Sequence, residues 1–190
     1  MTSEKIKANE KGMIWREDGA VLLRPFEEQD IAKKVEWINN PENNQHLHYD
    51  IPLCIENTIR WFQNKDKTKR LDYVIEYDGI PVGLIGLLSI DRFHRKAEFY
   101  ISMGETSYKK RGIATEASRI LIEYGFRGLC LHKIYLNTDG ENYTAHKLFE
   151  KIGFTREGYF SEDMIHRGKY IDRIRYAMLS PFPNCEEGDI

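Results

Sequence analysis

Ala97-Glu98-Phe99-Tyr100-Ile101-Ser102-Met103, followed by Lys109-Lys110-Arg111-Gly112-Ile113-Ala114, is the stretch that decides the fold. Its first part alternates: Phe99, Ile101 and Met103 share one face of a strand, and Glu98, Tyr100 and Ser102 the other. After Gly112 the period changes, with Ile113, Ala117, Ile120, Leu121 and Tyr124 at helical spacing. The basic turn therefore joins a strand to a helix. A helix start presents unpaired N–H groups and the positive end of the peptide dipole, and a glycine beside it lets an anion approach the backbone. Three cations before Gly112 and a small Ala114 after it suit a phosphate cradle. A solvated basic turn before a surface helix has the same local sequence.

Upstream, Leu71 to Tyr77 and Ile80 to Asp91 flank Asp78-Gly79, a strong hairpin signal. Val21 to Arg24 reads as a strand stopped by Pro25. Glu28 to Asn39 reads as a helix with Ile31, Val35 and Ile38 on one side, and Ile55 to Phe62 as a second, shorter one. Downstream come a strand from Lys133 to Thr138 and a helix from about Asn142 carrying Ala145, Leu148, Phe149 and Ile152, capped by Gly153. His146 falls on the solvent side of that helix by periodicity. Strands from about Arg156 to Ile165 and Tyr170 to Leu179 pair around Arg167-Gly168. The mixed order predicts an α/β (α+β) fold: one mixed, mainly antiparallel seven-stranded sheet flanked by about four helices. One domain over residues 15–180 is expected, between flexible tails at 1–14 and 181–190.

Composition narrows the function. The 190 residues carry 28 Lys+Arg against 30 Asp+Glu, a net charge of -2, which gives no global case for nucleic acid, so any anion site is local. No run approaches the roughly 20 apolar residues of a membrane helix, and residues 1–10 lack the apolar core of a signal peptide, so the cytoplasm is the expected location. Cys54, Cys130 and Cys185 are widely spaced without paired ligands, which predicts reduced thiols and no metal site.

About thirty residues after the basic turn comes Asn142-Tyr143-Thr144-Ala145-His146-Lys147-Leu148-Phe149-Glu150-Lys151-Ile152-Gly153-Phe154. The two linked motifs resemble those of the GNAT acetyltransferases, in the branch of ribosomal-protein N-terminal and spermidine acetyltransferases. His94 to Phe99 and Leu131 to Leu136 look especially like the spermidine enzymes. The resemblance implies the GNAT fold and acetyl-CoA as acetyl donor. It also implies a pantetheine arm held by the backbone of Ile101, Ser102 and Met103, and a pyrophosphate held by the backbone of Lys109, Lys110, Arg111, Gly112, Ile113, Ala114 and Thr115. Asn142 and Phe149 would contact the same cofactor, in a slot between strands ending near Met103 and Thr138. Phe149 stands where many members carry a tyrosine that protonates the leaving thiolate, and a phenyl ring donates no proton.

Acetyl transfer to an amine needs a proton acceptor for the ammonium, donors for the oxyanion and a proton for the sulfur. Glu98, on the strand entering the slot, is the first candidate base, and Glu76, a carboxylate near the acceptor, the second. The same glutamates would also serve as ordinary partners for Lys or Arg. Tyr143 is the candidate acid beside Tyr135, His146 and solvent. Backbone N–H groups near Met103 suffice for the oxyanion, and no acyl-enzyme is implied. From Phe26 to Glu56 seven acidic residues face two basic ones, which suits a cationic polyamine. The same region holds Trp37, His48, Tyr49 and several asparagines able to stack on and bond an amino sugar. The expected acceptor is a small-molecule primary amine, amino sugar or polyamine. A protein N-terminus, or an acetyl-CoA sensor without turnover, is the alternative. A homo-oligomer such as a dimer is compatible with all of these.

Overall fold

Alternating apolar residues and tight turns set most strands locally, and long-range packing then closes them into one sheet. The computed structural model describes residues 6–17, 19–47, 49 and 51–182. Within them the strands are β1 (Ile6–Ala8), β2 (Ile14–Arg16), β3 (Val21–Pro25), β4 (Leu71–Tyr77), β5 (Ile80–Asp91), β6 (Lys96–Met103), β7 (Lys133–Asp139), β8 (Thr155–His166) and β9 (Lys169–Leu179). The helices are α1 (Ile31–Asn39), α2 (Ile55–Asn64), α3 (Ile113–Arg127) and α4 (Tyr143–Ile152).

The nine strands form one sheet in the order β1-β2-β3-β4-β5-β6-β7-β9-β8. Only β6 and β7 are parallel, and α3 supplies the long crossover such a pair demands. Asp78 and Gly79 turn β4 into β5 with φ of 50° and 77°, and Arg167 and Gly168 turn β8 into β9 with 50° and 76°. Positive φ at both central residues gives a turn whose twist matches its strands. Two strands more than the expected seven are present, because Ile6–Ala8 pairs with Ile14–Arg16 and the latter with β3. The sheet thus begins ahead of residue 15. Three-residue strands are too short for a period of two to stand out in sequence.

The sheet buries two unequal faces. On one, α3 and α4 cover Ile85, Leu87, Phe99, Ile134 and Leu136 with Ile120, Leu121 and Phe149, joined by Phe154 just after α4. On the other, α1 and α2 close a smaller cluster of Phe26, Ile31, Trp37, Val74 and Leu84. Each such side chain contributes roughly 2 kcal/mol by leaving water. Cys54 is a free thiol, whereas Cys130 is disulfide-bonded, which corrects the expectation of three reduced thiols. Pairing follows proximity in the fold, which spacing along the chain does not report. Cys185 lies outside the described residues.

Candidate active site

The parallel ladder between β6 and β7 holds only for Lys96–Lys133, Ala97–Ile134 and Glu98–Tyr135. Beyond it each strand keeps its outer partner: β6 stays with β5 to Gly83–Met103, and β7 with β9 to Asp139–Arg173. The two therefore separate, leaving the inner edge of residues 99–103 without a neighbouring strand. Such an edge offers N–H and C=O groups to an extended ligand. Glu98 sits at the closed end of this slot, half-buried, on the sheet face opposite α3 and α4.

At the open end, β6 leads through a short turn to Gly112, which caps α3 in the left-handed region at φ 83°. Ile113, 2% exposed, pins the helix start into the core. A Cβ on Gly112 would meet nothing within 4 Å, so its outer side is open to a ligand. The helical ladder begins when the Glu116 N–H donates to the Gly112 carbonyl, and the N–H groups ahead of it have no partner within the helix. This arrangement fits a pyrophosphate. Charge is distributed differently from the sequence expectation. Lys109 turns away to donate to Asn43 Oδ1 at 2.7 Å and the Glu42 carbonyl at 3.3 Å, while Arg111 lies 5.0 Å over the Tyr108 ring. Lys110 is exposed. Backbone N–H groups, more than side-chain charge, are what this turn offers an anion.

On α4, Asn142 caps the helix by accepting from the Ala145 N–H at 3.1 Å. Tyr143 is 69% exposed, and Phe149, 6% exposed, is packed among Phe99, Phe154 and Tyr176. His146 corrects the periodicity reading: it is buried, with Nε2 3.2 Å from the Gly140 carbonyl and Nδ1 3.0 Å from the Tyr176 hydroxyl. The sheet reaches it from the side, which a helical wheel does not anticipate.

The acceptor-side candidates are placed less as expected. Trp37 is 4% exposed, its indole N–H donating to Glu105 at 2.9 Å, so it presents no open stacking face. Lys33 first, then the Trp37 N–H, holds the Glu105 carboxyl below the usual range. Glu76 is spent in an ion pair, accepting from Arg24 Nε at 2.6 Å while the same guanidinium grips Asp30 at 2.7 Å. His48 lies outside the described residues. The Tyr49 ring lies 5.8 Å from the Lys34 ammonium, which sits 3.4 Å over Trp61 and is pushed down to about 8 by burial. Beneath them burial would raise Asp72, but Arg70 and Lys65 more than offset it and keep it ionised, and it accepts from Tyr100 at 2.9 Å.

The asparagines of the region are structural. Asn39 exchanges two hydrogen bonds with the Leu53 backbone, at 2.8 and 2.9 Å, and Asn43 donates to the Gly104 carbonyl at 2.7 Å. The loop they build is tied to β7 by His46 Nδ1 and Asp139 Oδ2 at 3.0 Å, and to the β8–β9 turn by Arg167 and Asn44 Oδ1 at 2.6 Å. Asp139, Asp72, Tyr100, Asn137 and Arg175 were not singled out from sequence. Each acts through a partner far along the chain, and no spacing signals that. Among the described residues no cluster of His, Cys, Asp and Glu could hold a metal ion, and no helix is long and apolar enough to cross a membrane.

Residues 20–155 match the family model described as an acetyltransferase (GNAT) domain. Spermidine N(1)-acetyltransferase of Escherichia coli (strain K12) is 32% identical over 162 residues, covering 84% of this chain and 86% of that protein. The crystal structure of spermidine N-acetyltransferase from Vibrio cholerae in complex with CoA and spermine matches with a TM-score of 0.78 at 27% identity, covering 85% of this chain and 96% of that one. A dodecameric structure of the Vibrio cholerae enzyme in an intermediate state matches at 0.72 and 28%, covering 85% and 94%. The chain belongs to the GNAT acetyltransferase family and is an acetyl-CoA-dependent N-acetyltransferase.

Proposed function

We propose that this enzyme acetylates a primary amine of a polyamine by direct attack on acetyl-CoA. One observation carries the choice over an amino sugar: most of the described side chains able to hold a sugar are already committed, Trp37 to Glu105, Asn39 to the Leu53 backbone, Asn43 to the Gly104 carbonyl and Asn44 to Arg167. The excess of carboxylates from Phe26 to Glu56 and the spermidine acetyltransferases among the relatives support a cationic acceptor.

In this reading the N–H groups around Gly112 take the pyrophosphate, the inner edge of Ile101, Ser102 and Met103 takes the pantetheine arm, and Asn142 approaches it from α4. Glu98 accepts a proton from the substrate ammonium, directly or through water, and the freed nitrogen lone pair attacks the thioester carbonyl carbon. Backbone N–H groups near Met103 steady the oxyanion, the attacking nitrogen gives up its second proton to water, and the C–S bond breaks. Phe149 donates no proton, so Tyr143, exposed at the start of α4, or water returns one to the sulfur. A thiol with pKa near 8.5 leaves as thiolate with little help. The dodecamer of the Vibrio cholerae relative supports a homo-oligomer larger than the expected dimer.

Thiol release from acetyl-CoA against polyamines, amino sugars and N-terminal peptides tests the assignment. Spermidine should give the highest kcat/KM, by about 100-fold, because a site built to pair ammonium groups discriminates strongly against acceptors that leave its carboxylates unpaired. Preference for an amino sugar or peptide would overturn the acceptor, and donor binding without turnover on any amine would overturn catalysis.

A further inference from the structure

Among the described residues no cation pairs with Glu98. Its Oε1 accepts from the Asn137 amide N–H at 2.9 Å, and the Asn137 Oδ1 accepts in turn from Arg175 Nε at 3.0 Å. The register makes the chain continuous across three strands: Glu98 pairs with Tyr135 at the end of the β6–β7 ladder, and Asn137 pairs with Arg175 between β7 and β9. All four side chains share the face away from α3 and α4. Arg175 is itself fixed by two rings, with its guanidinium carbon 4.9 Å from the Tyr135 centroid and 5.2 Å from that of Phe160.

The order of donors matters. Guanidinium only donates, so it fixes the Asn137 oxygen toward Arg175 and hence the NH2 group toward Glu98. A guanidinium paired directly with the carboxylate would occupy both oxygens and favour the ionised form, weakening the group as a proton acceptor. The amide between them engages one oxygen only. Glu98 Oε2 has no other donor from the described residues, at the point where β6 and β7 part.

From this geometry we infer that Asn137 and Arg175 are positioning residues: Arg175 sets the Asn137 amide, and Asn137 aims Glu98 Oε2 into the slot while insulating it from the guanidinium charge. This rests on Glu98 being the base, and the test separates the two claims. With spermidine and acetyl-CoA, kcat, both KM values and pH-rate profiles are measured for Glu98→Gln, Asn137→Leu, their double variant, Arg175→Leu and Arg175→Gln. Asn137→Leu should lower kcat about 10-fold with the acetyl-CoA KM unchanged, and should add nothing to Glu98→Gln, since groups acting as one unit are non-additive. Arg175→Gln, which keeps an N–H donor, should retain more activity than Arg175→Leu, which reports on the relay even where Asn137→Leu fails to fold.

A native Glu98→Gln profile would remove the base and leave the relay without a role. A slow Glu98→Gln beside a native Asn137→Leu, or an Asn137→Leu effect fully additive with it, would overturn the positioning claim and leave the base in place.

Discussion

In the proposed reading the donor half of the site is made within one short stretch of chain, whereas the acceptor half is assembled from pieces that are distant in sequence. From Lys109 to Thr115 a left-handed glycine and the first turn of a helix would suffice, because the proposed binding groups are backbone N–H groups supplied by any helix start. The acceptor wall instead needs Trp37 against Glu105, His46 against Asp139 and Asn44 against Arg167, the last pair 123 residues apart. A site made of backbone is insensitive to side-chain identity except where bulk or charge blocks it. A site made of tertiary contacts is sensitive at every joint.

Gly112→Glu probes that difference most strongly. It sets a carboxylate in the open space before the cradle and should weaken acetyl-CoA binding by at least about 1000-fold in calorimetry, roughly 4 kcal/mol, with the fold retained. Gly112→Ala, in the same left-handed conformation, should lose only about 1 kcal/mol of stability and keep most of the affinity. If the two variants bind alike, the cradle is not where the pyrophosphate sits.

Gly104→Ala breaks the other half. Its Cβ would lie 2.1 Å from a Trp37 ring carbon, and that ring is locked between Lys33, Glu105 and the backbone. Overpacking of this kind should remove about 3 kcal/mol, seen as a fall in Tm of about 8 °C. It should raise the amine KM more than the acetyl-CoA KM, and the opposite split would mean that Trp37 supports the donor.

A smaller effect than that of Gly104→Ala concerns Lys34, charged in a cage of Trp61, Phe26 and Tyr49 and lowered to about 8 by burial, with Arg70 and Lys65 adding to the shift and Asp72 opposing it. Its ordinary value is near 10.4, so between about pH 8 and pH 10 the unfolded chain binds more protons and stability attributable to this group rises with pH. Below about pH 8 the full penalty of a buried charge applies. Lys34→Met should therefore be more stable by about 2 kcal/mol in urea titrations at pH 7, and that gain should shrink toward pH 10. A gain independent of pH would show that packing, and not the charge, sets the difference.

Both hairpin turns, the change of period at Gly112 and the cap at Gly153 were legible because each is fixed within four or five residues. His146 and Trp37 were not. The periodicity of α4 placed His146 in solvent, yet the sheet reaches around to Tyr176. Trp37 reads as a stacking platform until Gly104, far along the chain, is seen to receive its ring. Glu76 looked available as a base until Arg24 was found across the β3–β4 pair. The short strands β1 and β2 escaped for want of length.

By itself the sequence determined where the longer strands and the helices lie, where the chain turns and where a glycine opens α3, since those depend on local periodicity, φ preferences and helix ends. Only the tertiary structure decided where β6 and β7 part, which carboxylate stands at that point unpaired with a cation, and which aromatic and amide groups remain for an acceptor. Those outcomes depend on which side chains satisfy one another across the sheet, and that pairing is a property of three-dimensional distance.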